Sequence, residues 1–251
     1  MDIGLHLLLF VIAFAANLFS ALAGGGAGLV QFPALIFLGL PFQVALVTHK
    51  LATVALGAGA TMRHWRERSL DLKFASFICI FGLPGVLVGA VTAVAIPERA
   101  GEIALGLLTL GLGIYSMLQP SLGQTETPRN RNLAGYLIGG AGLTFIGVIN
   151  GALASGTGLF VTMLLVRWFG LNYKQAVAYT LVLVGLFWNG AGAITLMFLS
   201  EVQWQWLPAL LLGSLAGGYL GAHLAIVRGN GLIKRTYEVV TVAVGLSLLL
   251  T

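Results

Sequence analysis

The chain is short of charge, acid and cysteine. Only 8% of its 251 residues are Asp, Glu, Lys or Arg, where a soluble domain carries roughly 25%. So few charges cannot cover a water-exposed surface, which excludes a soluble globule and, on the same ground, disordered, collagen-like and coiled-coil chains. The single cysteine, Cys79, excludes an intrachain disulfide; set in an apolar run, it reads as packing material. No metal-ligand spacing and no nucleotide fingerprint is visible. Gly24–Gly28 is glycine-rich but lacks the lysine and hydroxyl of a phosphate loop, so no ATP-driven step and no cofactor is expected. Met1-Asp2-Ile3-Gly4 has no basic n-region, and the first apolar run is expected to stay as a helix. The formal charge of +5 is scattered between apolar segments, an orientation signal rather than a nucleic-acid patch.

What fills the chain is hydrocarbon: 58% of residues are apolar and the mean hydropathy is +0.97. The apolar residues run continuously instead of alternating, which argues for membrane helices over a β-barrel. Ten segments are expected, at about 5–22, 29–40, 43–62, 72–95, 101–118, 133–153, 159–170, 175–199, 203–227 and 232–250. Two of them, 29–40 and 159–170, would reach only about 18 Å as helices, short of a hydrocarbon core of roughly 30 Å. Whether they cross or re-enter is left open. Each follows a run of small residues, Gly24-Gly25-Gly26-Ala27-Gly28 or Ala154-Ser155-Gly156-Thr157-Gly158.

The order of segment lengths repeats, which divides the chain into halves 1–118 and 133–251 joined by a cytoplasmic linker, 119–132. Gly39-Leu40 and Gly170-Leu171 correspond at an offset of 131, as do Gly59 with Gly190 and Gly82 with Gly213. Loop charge reverses between them. Arg63, Arg66, Arg68 and Lys73 follow the third segment of the first half, where the second offers Glu201; Arg228, Lys234 and Arg235 follow the fourth segment of the second. That reversal is the mark of a duplicated unit inserted upside down. Threaded so, eleven of the thirteen Lys and Arg lie inside, Arg99 outside and Lys50 within the membrane, with both termini outside. The fold class expected is an all-α polytopic membrane protein: two inverted five-segment repeats whose short broken half-helices meet near the midplane.

Paired helix breaks at membrane depth point to a transport site. The short helices begin at Leu29 and Leu159 and aim unpaired N–H groups and a partial positive charge inward, which suits an anion. Lys50 lies about 10 Å into its segment, counted from Gln43 at helical rise, and that segment holds no acid. A membrane lysine so placed marks a substrate path or an ion pair. His49 beside it is a candidate for proton coupling. The candidate substrate-binding set is Asn17, Gly24, Gly25, Gly26, Gly28, Thr48, His49, Lys50, Asn150, Ser155, Gly156, Thr157, Gly158 and Thr180. Ser20, Gln31 and Asn189 read equally as pocket lining or interhelical glue, and Trp188 equally as core or pocket. A protease dyad of Ser155 and His223 is weak, because the first break has no serine; the chain is not expected to be an enzyme.

These motifs are similar to those of a known family. Gly24-Gly25-Gly26-Ala27-Gly28, Phe32-Pro33-Ala34-Leu35, Gly39-Leu40-Pro41 and Val44-Ala45-Leu46-Val47-Thr48 resemble the TauE/SafE family of sulfite-type anion exporters. So do Gly156-Thr157-Gly158, Gly170-Leu171 and Ala176-Val177-Ala178 in the second half, and Asp71-Leu72 mirrored by Val202-Gln203-Trp204. The resemblance implies a permease of the bacterial inner membrane with duplicated halves, exporting sulfite, sulfonates or other organosulfur acids. Its partners would be a small anion, the lipid bilayer and a coupling H+ or Na+, with no nucleic acid; a homodimer is left open. Thr48-His49-Lys50 departs from the family's commoner Thr-Ser-Leu and favours a substrate with more need of positive charge. The expected function is a secondary anion transporter working by alternating access; the alternatives are an anion channel, a membrane enzyme or a non-transporting assembly partner.

Overall fold

The computed structural model describes residues 3–67, 70–92, 98–153 and 156–250, with backbone alone at positions 66, 98–102, 104 and 105. Arg68, Ser155 and the side chains of Arg66 and Arg99 lie outside the described residues. Each expected segment holds a helix among its described residues, and no strand occurs among the described residues. In chain order the helices are α1 (Ile3–Ala23), α2 (Gly28–Phe37), α3 (Phe42–His64), α4 (Leu72–Thr92), α5 (Glu98–Met117) and α6 (Leu133–Ala152). There follow α7 (Thr157–Arg167), α8 (Tyr173–Tyr179), a π-helical segment (Thr180–Trp188), α9 (Asn189–Met197), α10 (Leu207–Arg228) and α11 (Asn230–Leu250). The two short elements, α2 with 10 residues and α7 with 11, follow the glycine breaks.

Local chemistry sets the ends. Asn132 caps α6 by accepting from Gly135 N at 2.8 Å. Asn172 and Gln175 form a capping box at α8, which supplies acceptors to N–H groups that the first turn leaves unpaired. The ninth segment starts later than its apolar run. Val202–Trp206 fold into turns, with Trp206 N donating to Gln203 O at 3.1 Å, and Pro208 sits in the first turn of α10, where its missing N–H costs nothing. The linker is tied down: Thr127 N donates to Gly170 O and Arg129 N to Phe169 O, at 2.8 and 3.1 Å, just past α7.

Among the described residues, six helices are long and apolar enough to cross a membrane: α1, α3, α4, α6, the continuous Tyr173–Met197 and α10. α1 packs along α10, α4 along α6, and α5 along α11, while α3 lies against α10 and the π-helical segment. With Tyr173–Met197 taken as one element, the first pairing turns into the second when the five elements before the linker are exchanged in order with the five after it. Close approach is set by glycines, as expected where lipid removes the hydrophobic drive for helices to associate. An added methyl at Gly217 or Gly221 of α10 would meet the Phe14 or Leu18 carbonyl of α1; at Gly85 or Gly89 of α4 it would meet the Thr144 or Val148 carbonyl of α6. Trp188, open between core and pocket from sequence, is core: it is fully buried and its indole packs on Gly82.

Lys234 departs from its expected place among the loop cations. It is buried on α11, pairs with Glu238 one turn along, and donates to Ser116 O on α5 at 2.6 Å. The one-turn spacing puts both charges on one helix face, and Ser116 Oγ donates to Glu238 Oε1 at 2.9 Å. Glu238→Gln would leave Lys234 without its counter-charge; an uncompensated buried charge costs roughly 3–5 kcal/mol. A lower melting temperature in detergent is the expected result, and an unchanged one would show that the pair adds nothing to stability.

Candidate functional site

The two breaks meet. α1 ends at Ala23, and Gly24, Gly25 and Gly26 follow with φ of 83°, 151° and 102°. Those values carry the chain into α2 by a path other residues seldom take. Gly24 N and Gly25 N both donate to Ser20 O, at 2.8 and 2.9 Å. Opposite them, Gly156 (φ 72°) opens α7. A Cβ on Gly25 would lie 2.6 Å from Leu159 N, and one on Gly158 would lie 2.8 Å from Gly24 O. The breaks therefore touch backbone to backbone. Thr162 fastens them, its hydroxyl lying 3.1 Å from Gly24 O and 3.0 Å from Thr180 Oγ1. Neither α2 nor α7 has a side-chain cap at its start, but Leu29 N and Leu159 N, expected to be unpaired, donate to Gly26 O and Gly156 O at 3.1 and 2.9 Å, so these starts offer a ligand the partial positive charge of the helix end rather than those two N–H groups.

A cavity of about 50 Å³ opens at this junction. Its wall gathers Gly24, Gly25, Gly26 and Gly28 from the first break, His49 and Lys50 from α3, Asn150 from α6, Gly156, Thr157 and Gly158 from the second break, and Thr180 from the π-helical segment. Ser20, Thr53 and Asn189 complete its polar lining. Lys50 is buried, and its Nζ donates to Asn150 O at 2.5 Å. Asn150 Nδ2 donates to Thr157 Oγ1 at 2.8 Å and to Asn189 Oδ1 at 3.3 Å. Asn189 Nδ2 donates to Thr53 Oγ1 at 3.1 Å, and the Thr53 hydroxyl returns to Lys50 O at 2.8 Å. Lys50, Asn150, Asn189 and Thr53 thus close a ring that joins α3, α6 and α9. No Asp or Glu lies among the described lining residues. The wall presents an amine, hydroxyls, amides and helix N-termini, which are donors suited to an oxyanion.

Two expected members stand elsewhere. Asn17 is fully buried behind the wall, where its Nδ2 donates to Ala13 O, Gln31 Oε1 and Ser214 Oγ at 2.7–2.9 Å; it ties α1 to α2 and α10. Thr48 Oγ1 accepts from Gln203 N at 3.1 Å and faces away from Lys50, because two residues of helix turn a side chain by about 200°. Ser155 lies outside the described residues. Thr53 escaped the sequence reading although it sits one turn past Lys50 on the same face, a periodicity that could have found it. Gly185, which also lines the cavity, gives no such signal: its role is to let the π-helical segment lie against Gly57 of α3, with a Cβ at Gly185 only 3.0 Å from Gly57 Cα.

Comparison with known proteins agrees with this architecture. A probable membrane transporter protein of Haemophilus influenzae is 31% identical over 237 residues, covering 93% of this chain and 91% of that protein. A probable membrane transporter protein of a Sinorhizobium species is 28% identical over 251 residues, 99% of this chain and 94% of its own. The probable membrane transporter protein YfcA of Escherichia coli is 27% identical over 245 residues, 96% of this chain and 88% of its own. Residues 9–248 match the family described as sulfite exporter TauE/SafE. With nearly its whole length inside that match and its helices long enough to span a bilayer, the chain belongs to the sulfite exporter TauE/SafE family of membrane transporters.

Proposed function

We propose that the chain is a secondary transporter of a small oxyanion such as sulfite or a small sulfonate, working as an exporter by alternating access between two inverted halves, 1–118 and 133–251. The observation that carries this reading is the acid-free cavity at the junction of two uncapped helix starts, with Lys50 in its wall. Lys50, as ammonium, neutralises the bound charge; the Thr157 hydroxyl and the partial positive charge at the starts of α2 and α7 hold its oxygens. A cavity of about 50 Å³ has room on the order of three to five water-sized groups, a fit for an oxyanion of a few heavy atoms. The interchangeable helix pairings support the two-half reading. The basic loops face the cytoplasm, both termini face outward, and the chain resides in the bacterial inner membrane.

Thermal shift on purified protein tests the substrate. At a concentration about 100 times its Kd, a ligand bound only by the folded state stabilises by about 2.7 kcal/mol. Sulfite or a small sulfonate is expected to raise the melting temperature where equal ionic strength of chloride does not; a screen in which only carboxylates or phosphate stabilise would replace the substrate class. In proteoliposomes, saturable flux that answers an imposed proton or sodium gradient separates a coupled transporter from a channel.

A further inference from the structure

Another cavity, about 310 Å³ against about 50 Å³ for the transport site, opens at the linker. Its walls are the end of α5, the linker from Gln119 to Arg129 and the last turn of α7. That turn is the opposite end of α7 from Thr157, which lines the transport cavity. The polar lining is two guanidinium residues, Arg129 and Arg167, three hydroxyl residues, Ser121, Thr125 and Thr127, and the Tyr115 phenol. No Asp or Glu lies among the described lining residues.

The charge in this wall is unmatched. Neither Arg129 nor Arg167 has a carboxylate within 4.0 Å among the described residues. Arg167 commits only Nε, which donates to the Tyr115 hydroxyl at 2.6 Å; its terminal amino groups keep their donors. The neighbouring acids are engaged elsewhere. Glu126 accepts from Gln175 Nε2 at 2.7 Å and lines a different cavity, with Asp71 and Arg131, while Glu238 holds Lys234. Orientation of a membrane chain asks only that arginines stand near one face; it needs neither a cavity nor a fixed loop. Here the loop is fixed. Tyr173 N donates to Gly123 O, Asn230 Nδ2 to Gln124 O, and Thr127 N to Gly170 O, each at 2.8 Å. Asn130 Nδ2 adds a bond to Trp168 O at 2.8 Å. The linker is thus pinned by the starts of α8 and α11 and by the turn after α7, while the Ser121, Thr125 and Thr127 hydroxyls stay uncommitted among the described residues. Donors already held in place lose less freedom when a ligand arrives.

We infer that this cavity binds a dianionic oxyanion of sulfate or phosphate type, held between Arg129 and Arg167 with the hydroxyls on its remaining oxygens. A guanidinium fork meets two oxygens of such an anion at once. Two forks balance two charges, whereas a monoanion leaves one arginine unmatched. The site is separate from the transport cavity, and the binding stands whether or not the chain carries anions.

Phenylglyoxal, which modifies guanidinium groups, tests this on the detergent-purified full chain, with the modified arginines located by mass spectrometry. Arg228, exposed and outside both cavities, is the internal control. At mildly alkaline pH and constant ionic strength, sulfate and phosphate are expected to protect Arg129 and Arg167 and to leave Arg228 reactive. Half-protection by either dianion should need about tenfold less anion than methanesulfonate, the gain of one further charge-assisted contact. Equal protection by methanesulfonate overturns the dianion, and protection that includes Arg228, or reaches neither lining arginine, overturns the site. Stronger protection by sulfate makes a sulfur oxyanion the occupant and stronger protection by phosphate a phosphate compound; either keeps the site. Calorimetric titration with sulfate gives a second measure. The double variant Arg129→Gln, Arg167→Gln changes exposed residues without ion pairs, so it should fold normally and bind about a hundredfold more weakly. Binding that survives in this variant and is lost in Lys50→Ala would belong to the transport cavity and would overturn the linker site.

Discussion

Lys50→Ala is expected to lower anion flux in proteoliposomes by about two orders of magnitude while the protein stays folded and monodisperse. Hydrogen bonds to a charged group contribute about 1.5–3 kcal/mol, and each 1.4 kcal/mol is a factor of ten in affinity. The alanine removes that interaction from the bound anion and also frees Asn150 O, which Lys50 Nζ holds at 2.5 Å. A second loss follows from the ring of contacts: with the amine gone, Thr53 and Asn189 still link to each other but no longer to α6 through Lys50. Melting temperature and flux measured together separate the two effects, since a folding defect lowers both and a binding defect lowers flux alone. Wild-type flux in the alanine variant would remove Lys50 from the mechanism.

Gly25→Ala is expected to abolish transport and to reduce stability by several kcal/mol. The residue has φ of 151°, and a backbone held in a region foreign to other residues costs roughly 1–3 kcal/mol. Its Cβ would also come within 2.6 Å of Leu159 N, a backbone atom that moves only if the start of α7 moves. Gly39→Ala is the control, because Gly39 has φ of 98° with nothing within 4 Å of an added Cβ. That variant should lose about 1 kcal/mol from strain and keep its flux. The difference between the two alanines measures the contact between the breaks, and equal behaviour would mean that contact is unimportant.

Much of this architecture could be read before any coordinates. Segment existence followed from unbroken apolar runs, and the short α2 and α7 from the runs of small residues before them. Lys50 stood out because a cation in a membrane segment has no cheap alternative to a functional or paired position. What the sequence did not carry was direction. Asn17 and Thr48 are polar residues on apolar helices like Asn150 and Thr180, yet they spend their hydrogen bonds on Ser214 and Gln203 behind the wall. Lys234 reads as a loop cation because Lys234 and Arg235 adjoin a polar break; only the one-turn spacing to Glu238 hinted at the buried pair. The π-helical stretch has no sequence mark of its own, and its close approach to α3 at Gly57 and Gly185 joins residues far apart in the chain.

The glycine-lined pairings have a bearing on how the molecule is made. α1 leaves the ribosome first, yet its main neighbour α10 begins at Leu207. α4 likewise awaits α6, which begins at Leu133. The buried face of α4 carries Gly82, Gly85 and Gly89 and that of α1 carries Asn17 and Ser20; such faces have little to offer lipid, so each early helix is expected to be sheltered until its partner is synthesised. Neither half can complete these pairings alone. The two halves, made as separate polypeptides, should assemble only when both are present in the membrane together.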